Sequence, residues 1–173
     1  MTVLLTGVFL LFTTPLLRAQ DQATKLRLAQ SYEQAGDHEQ AARFYRELHA
    51  ADPRNIVFFE GLRRTLLQLK RYDEAAALIE QRIAAAPADV NLLAMLGGVY
   101  YKAGKDAEAA TQWDRAIAVA PANATTYRTV AAVFIENRLL ERAIDVYRRA
   151  RIACGDPDLN TPDLASLLSI PMH

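Results

Sequence analysis

Pro53, Pro87 and Pro121 lie 34 residues apart, and this spacing constrains the chain more than any other feature. Ala41, Ala75, Ala109 and Ala143 keep the same interval, each 12 residues before a proline or, for the last, before Gly155. With 31 alanines in the chain an alanine register alone decides little, but there are only seven prolines, and three of them share one register. A fixed period of this length marks an architecture in which each repeat is one supersecondary unit stacked on its neighbours.

Placing each proline near the close of its unit gives four repeats, 22–55, 56–89, 90–123 and 124–157. Large residues recur at the seventh place (Leu28, Leu62, Leu96, Val130) and at the eleventh (Tyr32, Leu66, Tyr100, Phe134). Four residues apart, these stack on one helical face. The twenty-fourth place holds Tyr45, Ile79, Trp113 and Tyr147. Small residues take the eighth place three times (Ala29, Gly97, Ala131) and the twentieth all four times, which lets two antiparallel helices approach closely. Gly36 and Gly104 close first helices, and proline, which cannot continue a helix, marks the turn into the next unit. The pattern predicts helices near 23–35 and 38–51, 56–69 and 72–85, 90–103 and 106–119, 124–137 and 140–153. A ninth follows Thr161-Pro162-Asp163, with Thr161 as cap and Pro162 at the first helical position. Residues 158–173 then form a capping helix or the opening of a fifth repeat cut short.

A 34-residue helix–turn–helix unit with this arrangement resembles the tetratricopeptide repeat. The best copy runs from Leu92 to Pro121 and supplies Leu93, Leu96, Gly97, Tyr100, Gly104, Ala109, Trp113, Ala116 and Pro121 in register. The second copy departs most, with Arg63 at the small eighth place, Arg82 at the twenty-seventh and Lys70 at the turn glycine. Arginines at small places must snorkel or pair with acids. The fourth copy has Arg138 for the turn glycine. The resemblance implies an all-α fold, a right-handed superhelical α-solenoid of four helix pairs plus a partial C-terminal helix.

The first 19 residues read differently. Val3 to Leu17 is apolar and interrupted by Pro15, too short for a membrane-spanning helix of about 20 residues. It fits the apolar core of a signal peptide cleaved after Ala19, although no Lys or Arg precedes it. Export to the periplasm or beyond is expected, with an uncleaved N-terminal anchor as the alternative and the only contact with a membrane.

Twenty basic groups balance twenty acidic ones, which argues against a partner held by bulk charge such as a nucleic acid. One cysteine excludes an intramolecular disulfide framework and a cysteine-based zinc site. No phosphate-binding loop, dinucleotide fingerprint, zinc-protease or hydrolase motif occurs. No catalytic residue, cofactor, metal or small-molecule substrate is therefore expected. His38 falls in a repeat turn and His49 late in a helix, in columns whose other occupants vary freely. Cys154 reads as a small apolar filler, or in an exported chain as a thiol able to pair between molecules. Glu39, Asp73, Glu74, Glu108 and Glu141 open second helices, where they favour the helix dipole. Asn123-Ala124-Thr125 is a formal glycosylation sequon. Trp113 belongs to the core column.

In the family resembled, ligands lie in a concave groove lined by the second, fifth, ninth, twelfth and thirteenth places of each repeat. Carried onto this chain, the groove takes Ala23, Leu26, Gln30, Glu33 and Gln34 from the first copy and Val57, Glu60, Arg64, Leu67 and Gln68 from the second. Asn91, Ala94, Gly98, Tyr101 and Lys102 come from the third, and Thr125, Arg128, Ala132, Ile135 and Glu136 from the fourth. The clamp by which chaperone-docking members grip a peptide carboxylate is absent, its places being held by Leu26, Gln30 and Gly61, and by Glu60, Arg64 and Met95. The groove residues expected to bind are Arg64, Leu67, Gln68, Tyr101, Lys102, Arg128 and Ile135. They suit a peptide or helix of a protein partner carrying apolar and acidic residues. The implied function is a non-catalytic interaction scaffold in a cell-envelope or secretion assembly. The alternative is the front module of a larger enzyme or sensor that continues past His173.

Overall fold

The computed structural model describes residues 7–169, with side chains from Arg18 onward. Among the described residues every regular element is a helix: α1 (Gly7–Gln34), α2 (His38–Ala51), α3 (Ile56–Gln68), α4 (Tyr72–Ala85), α5 (Val90–Lys102), α6 (Asp106–Val119), α7 (Ala124–Glu136), α8 (Leu140–Cys154) and α9 (Thr161–Leu168). The chain divides into two compact units, one ending at Arg71 and one beginning at Tyr72. The boundary falls inside the second repeat. In the first unit α2 packs against α1 and α3. In the second, α5 packs against α4, α6 and α7, α8 against α7 and α9, and α6 against α7.

From α2 to α8 the helices start and stop within one residue of the positions the period predicts. The first helix does not. Its backbone is helical from Gly7 and continues through Pro15, well before the expected start near residue 23. Residues 18–35 contain neither glycine nor proline, so nothing local stops the helix there. Arg18 also donates from Nη2 to the carbonyl of Ala51 at 2.9 Å, tying α1 to the end of α2. The apolar run from Val3 lies outside the described residues up to position 6, and its side chains lie outside them throughout.

All four first helices end in one hydrogen-bond pattern. The N–H groups of Asp37, Arg71, Lys105 and Leu139 reach back to the carbonyls of Tyr32, Leu66, Tyr100 and Phe134 at 2.8–2.9 Å. This is the Schellman closure, which needs a left-handed residue just before the donor. Gly36 and Gly104 supply it at φ 77° and 74°, but Lys70 and Arg138 are held there at 56° and 59°. The departures from the glycine column therefore leave the backbone turn intact, and strain the residue that stands in it.

The opposite ends of the first helices share a device as well. Asn55, Asp89 and Asn123, again 34 apart, cap α3, α5 and α7. Asn55 Oδ1 accepts from Val57 and Phe58, Asp89 from Asn91 and Leu92, and Asn123 from Thr125, at 2.9–3.4 Å. Each such cap is worth about 1 kcal/mol. The sequon asparagine is thus a helix cap. Thr161 does not cap α9: its hydroxyl donates to the Asp158 carbonyl at 2.7 Å and accepts from Arg151, while Asn160 precedes the helix at φ 58°.

The core follows the columns. Ala41, Ala75, Ala109 and Ala143 are wholly buried, and all four residues of the twenty-fourth place are buried with them. At the seventh place Leu62, Leu96 and Val130 are buried, whereas Leu28 is 41% exposed. The later three stand on helices that pack against the second helix of the repeat before. No described second helix precedes α1.

Candidate functional site

In the first unit the candidate side chains rise from α1 and α3. Gly61 on α3 faces the ring of Tyr45 on α2 so closely that a Cβ there would stand 2.2 Å from Cε1. With no side chain at 61 there is room for the ring beside α3, and its hydroxyl donates to Glu33 Oε2 at 3.0 Å. Glu33 also receives both arms of the Arg64 guanidinium, Nε on Oε1 and Nη2 on Oε2, the latter at 2.8 Å. The Arg64 hydrogen bonds, helped by Tyr45, hold the Glu33 carboxyl below the usual carboxylate range against the opposing effect of burial. Burial and the Glu33 charge push the Tyr45 phenol up to about 12. Arg64, expected as a free binding cation, is therefore one arm of a network that spans two repeats. Leu67 is half-buried and Gln68 exposed on the same helix. Arg63 resolves its misplaced charge by pairing with Glu60 at 2.7 Å, as expected of an arginine in a small column.

In the second unit α5 and α7 carry the remaining candidates. Trp113 from α6 lies over Gly97, where a Cβ would stand 2.3 Å from its Nε1, and donates that N–H to the Ala94 carbonyl at 3.2 Å. Its ring meets Phe134 edge-on at 4.6 Å between centroids and Tyr101 at 6.2 Å. Tyr101 is accordingly half-buried, one side on Trp113. Lys102 and Arg128 are exposed and make no ion pair with a described residue, and Ile135 is 39% exposed. Two groove assignments fail in this unit. Ala94 and Gly98 are both buried, and Gly98 lies where α5 and α7 meet: a Cβ on it would stand 3.0 Å from Val133.

A second set of charges was missed in the sequence. Arg71 binds Glu39 at 3.0 Å and Lys105 binds Asp73 at 2.8 Å, each joining the sixteenth place of one repeat to the eighteenth of the repeat before. The shared columns were the available signal. Tyr100 donates to Glu80 at 2.5 Å, and that bond with burial pushes its phenol up to about 12. Elsewhere, His38 is half-buried with no hydrogen-bond partner on Nδ1, and the Cys154 thiol donates to the Ala122 carbonyl at 3.4 Å. Among the described residues no three His, Cys, Asp or Glu side chains converge to hold a metal ion. No helix among them is long and apolar enough to cross a membrane. What these faces offer is shape, apolar contact and charge.

Family models for the tetratricopeptide repeat match residues 32–91, 64–125 and 95–157. The chain belongs to the tetratricopeptide repeat family. Among solved structures, a thermophilic tetratricopeptide protein of Thermus thermophilus aligns at a TM-score of 0.56 and 19% identity, over 88% of this chain and 84% of that one. A crystal structure of the protein MamA gives 0.53 and 16% over 87% of each. MamA of Desulfovibrio magneticus RS-1 gives 0.51 and 17%, over 76% of this chain and 75% of that one. At these identities the likeness shows the fold alone, the all-α repeat solenoid. No relative among curated proteins matches the chain. The tetratricopeptide fold is that of a protein–protein interaction scaffold.

Proposed function

We propose that this tetratricopeptide protein is a non-catalytic scaffold that takes a peptide segment or helix of a protein partner on its first-helix face. The observation that supports the reading is the pair of exposed cations, Lys102 and Arg128, standing without ion pairs to described residues beside the half-buried Tyr101 and the exposed Ile135. Charges already paired within the fold gain little from a ligand, whereas unpaired ones gain a partner on binding. Tyrosine and arginine are also the side chains richest in interface hot spots. An acidic segment with one or two apolar residues is the ligand this face suits.

The reading also assigns the protein to the cell envelope, exported by its apolar N-terminal run and cleaved after Ala19, or anchored by that run if it is uncleaved. Neither a nucleic acid nor a small-molecule substrate fits a charge-balanced surface of this kind.

The test is capture of the native partner from the envelope fraction, followed by titration of the purified pair. Tyr101→Ala with Arg128→Ala should keep full helicity and weaken the complex at least tenfold, with the loss shrinking as salt rises. Unchanged affinity in that double variant overturns the groove assignment. N-terminal sequencing of the envelope-derived protein should read Gln20 first. Recovery of the intact chain from the cytosol alone overturns the export reading.

A further inference from the structure

The second unit holds a cleft lined by residues of α6, α7 and α8. Trp113 and Phe134 form its floor, buried but for a few per cent of their surface. Its rim is charged: Asp114 stands on α6, and Arg142, Asp145 and Arg149 follow along α8. Arg142 lies over the Trp113 ring at 5.6 Å. All four rim residues are exposed, and none makes an ion pair with a described residue. Elsewhere in the chain Glu33, Glu39, Glu60 and Asp73 are each engaged by a cation.

Size and charge narrow the occupant. The cleft measures about 210 Å³, below the roughly 300–1,000 Å³ of sites that hold a free small molecule. It admits one large side chain. The rim alternates in sign along α8, base, acid, base at spacings of three and four residues, with a further acid opposite. These spacings set the three on one helical face. A uniformly anionic partner, such as a nucleic acid or an acidic lipid surface, would meet two carboxylates; a uniformly cationic one would meet two guanidinium groups. Complementarity selects a segment that carries both signs around an apolar anchor.

We infer that this cleft is a second docking site, taking one large apolar side chain from a helix of a protein partner whose flanking residues run acid, base, acid. The site goes beyond the residues proposed to bind on the first-helix face, whose Tyr101 packs on the same Trp113. Tryptophan and arginine are hot-spot residue types, here brought to one pocket with a desolvated floor and a polar rim. A partner helix along the cleft would present its anchor and flanking charges at i, i+3 and i+4.

The experiment is selection from a displayed library of random helical peptides against the full-length chain, followed by titration of the enriched peptides. Trp113 is the chain's one tryptophan, so its emission reports occupancy of the cleft directly. Enriched peptides should carry one central Phe, Leu, Ile or Trp with acids and bases of both signs within one turn. They should shift Trp113 emission and lose affinity at least tenfold in Ala110→Arg, which fills the cleft wall. Asp145→Lys with Arg149→Glu, both at exposed positions, should reverse the preferred order of charges in the peptide while leaving the melting midpoint unchanged. Lys102→Ala with Arg128→Ala, neither of which lines the cleft, should leave this binding unaltered, which separates it from the first-helix reading. Enrichment of uniformly acidic peptides, binding abolished by the Lys102 and Arg128 changes but not by Ala110→Arg, or no enrichment at all overturns the proposal.

Discussion

Tyr45 and Trp113 occupy the same place in their repeats, and both lie over a glycine, yet they leave their surroundings in opposite states. Tyr45 covers Gly61 and sends its hydroxyl to Glu33, which in turn holds Arg64. Trp113 covers Gly97, turns its N–H inward to the Ala94 carbonyl, and sets its ring against Tyr101 and, edge-on, Phe134. The phenol couples the core to the surface charges of the first unit and uses them internally. The indole satisfies itself within the core, and Lys102 and Arg128 of the second unit remain available. One column, filled by two aromatic residues, thus differs in whether its side chain joins a surface ion pair.

The largest effect that would sharpen this contrast is removal of the indole. Trp113→Ala empties a site shared by Gly97, Tyr101 and Phe134 and should cost about 3–5 kcal/mol, read by thermal unfolding in circular dichroism. A loss below about 1 kcal/mol would mean that the ring does not organise the second unit. Next come the glycines. Gly61→Ala and Gly97→Ala should each destabilise by about 1–3 kcal/mol, although alanine is the better helix former by about 1 kcal/mol. The buried rings of Tyr45 and Trp113 have nowhere to retreat. A rise in melting midpoint for either would break the parallel between the two positions.

Smaller, and of opposite sign, are changes at the turns. Lys70→Gly and Arg138→Gly should stabilise by about 0.5–1 kcal/mol, since each relieves a left-handed side chain without disturbing the closure. Equal or lower stability would show that these side chains are held in place by something worth more than the strain. The smallest effect concerns Glu33. Its carboxyl is held below the ordinary value of 4.5, mainly by Arg64. Its contribution to stability is therefore complete above the ordinary value and fades as pH falls through the depressed folded value. A carbon-13 titration of the Glu33 carboxyl should show the midpoint rising in Arg64→Ala, and rising less in Tyr45→Phe. Identical midpoints in all three proteins would dissolve the network on which the comparison rests.

The 34-residue period made the helices from α2 to α8 legible because it is a local property: turn chemistry, capping and helical spacing are settled by residues a few positions apart. The same column logic located the buried alanines, the aromatic place and the snorkelling Arg63. It faltered where a column's environment depends on what stands beside it. Leu28 has the composition of a core residue but lacks a described second helix before it to cover it. Ala94 and Gly98 fall on groove columns but are buried, Gly98 by the approach of α7.

What the sequence determined by itself is the repeat: its length, its handover at each proline, and the side chains that must be small or large for two helices to meet. Only the tertiary structure decided which charges are free. Glu33 and Arg64 are 31 residues apart, and no local rule pairs them. The glycine at 61 leaves room for the Tyr45 ring, whose hydroxyl joins the same carboxylate. A charge's availability depends on the geometry of groups far along the chain, and that geometry exists only once the helices have packed.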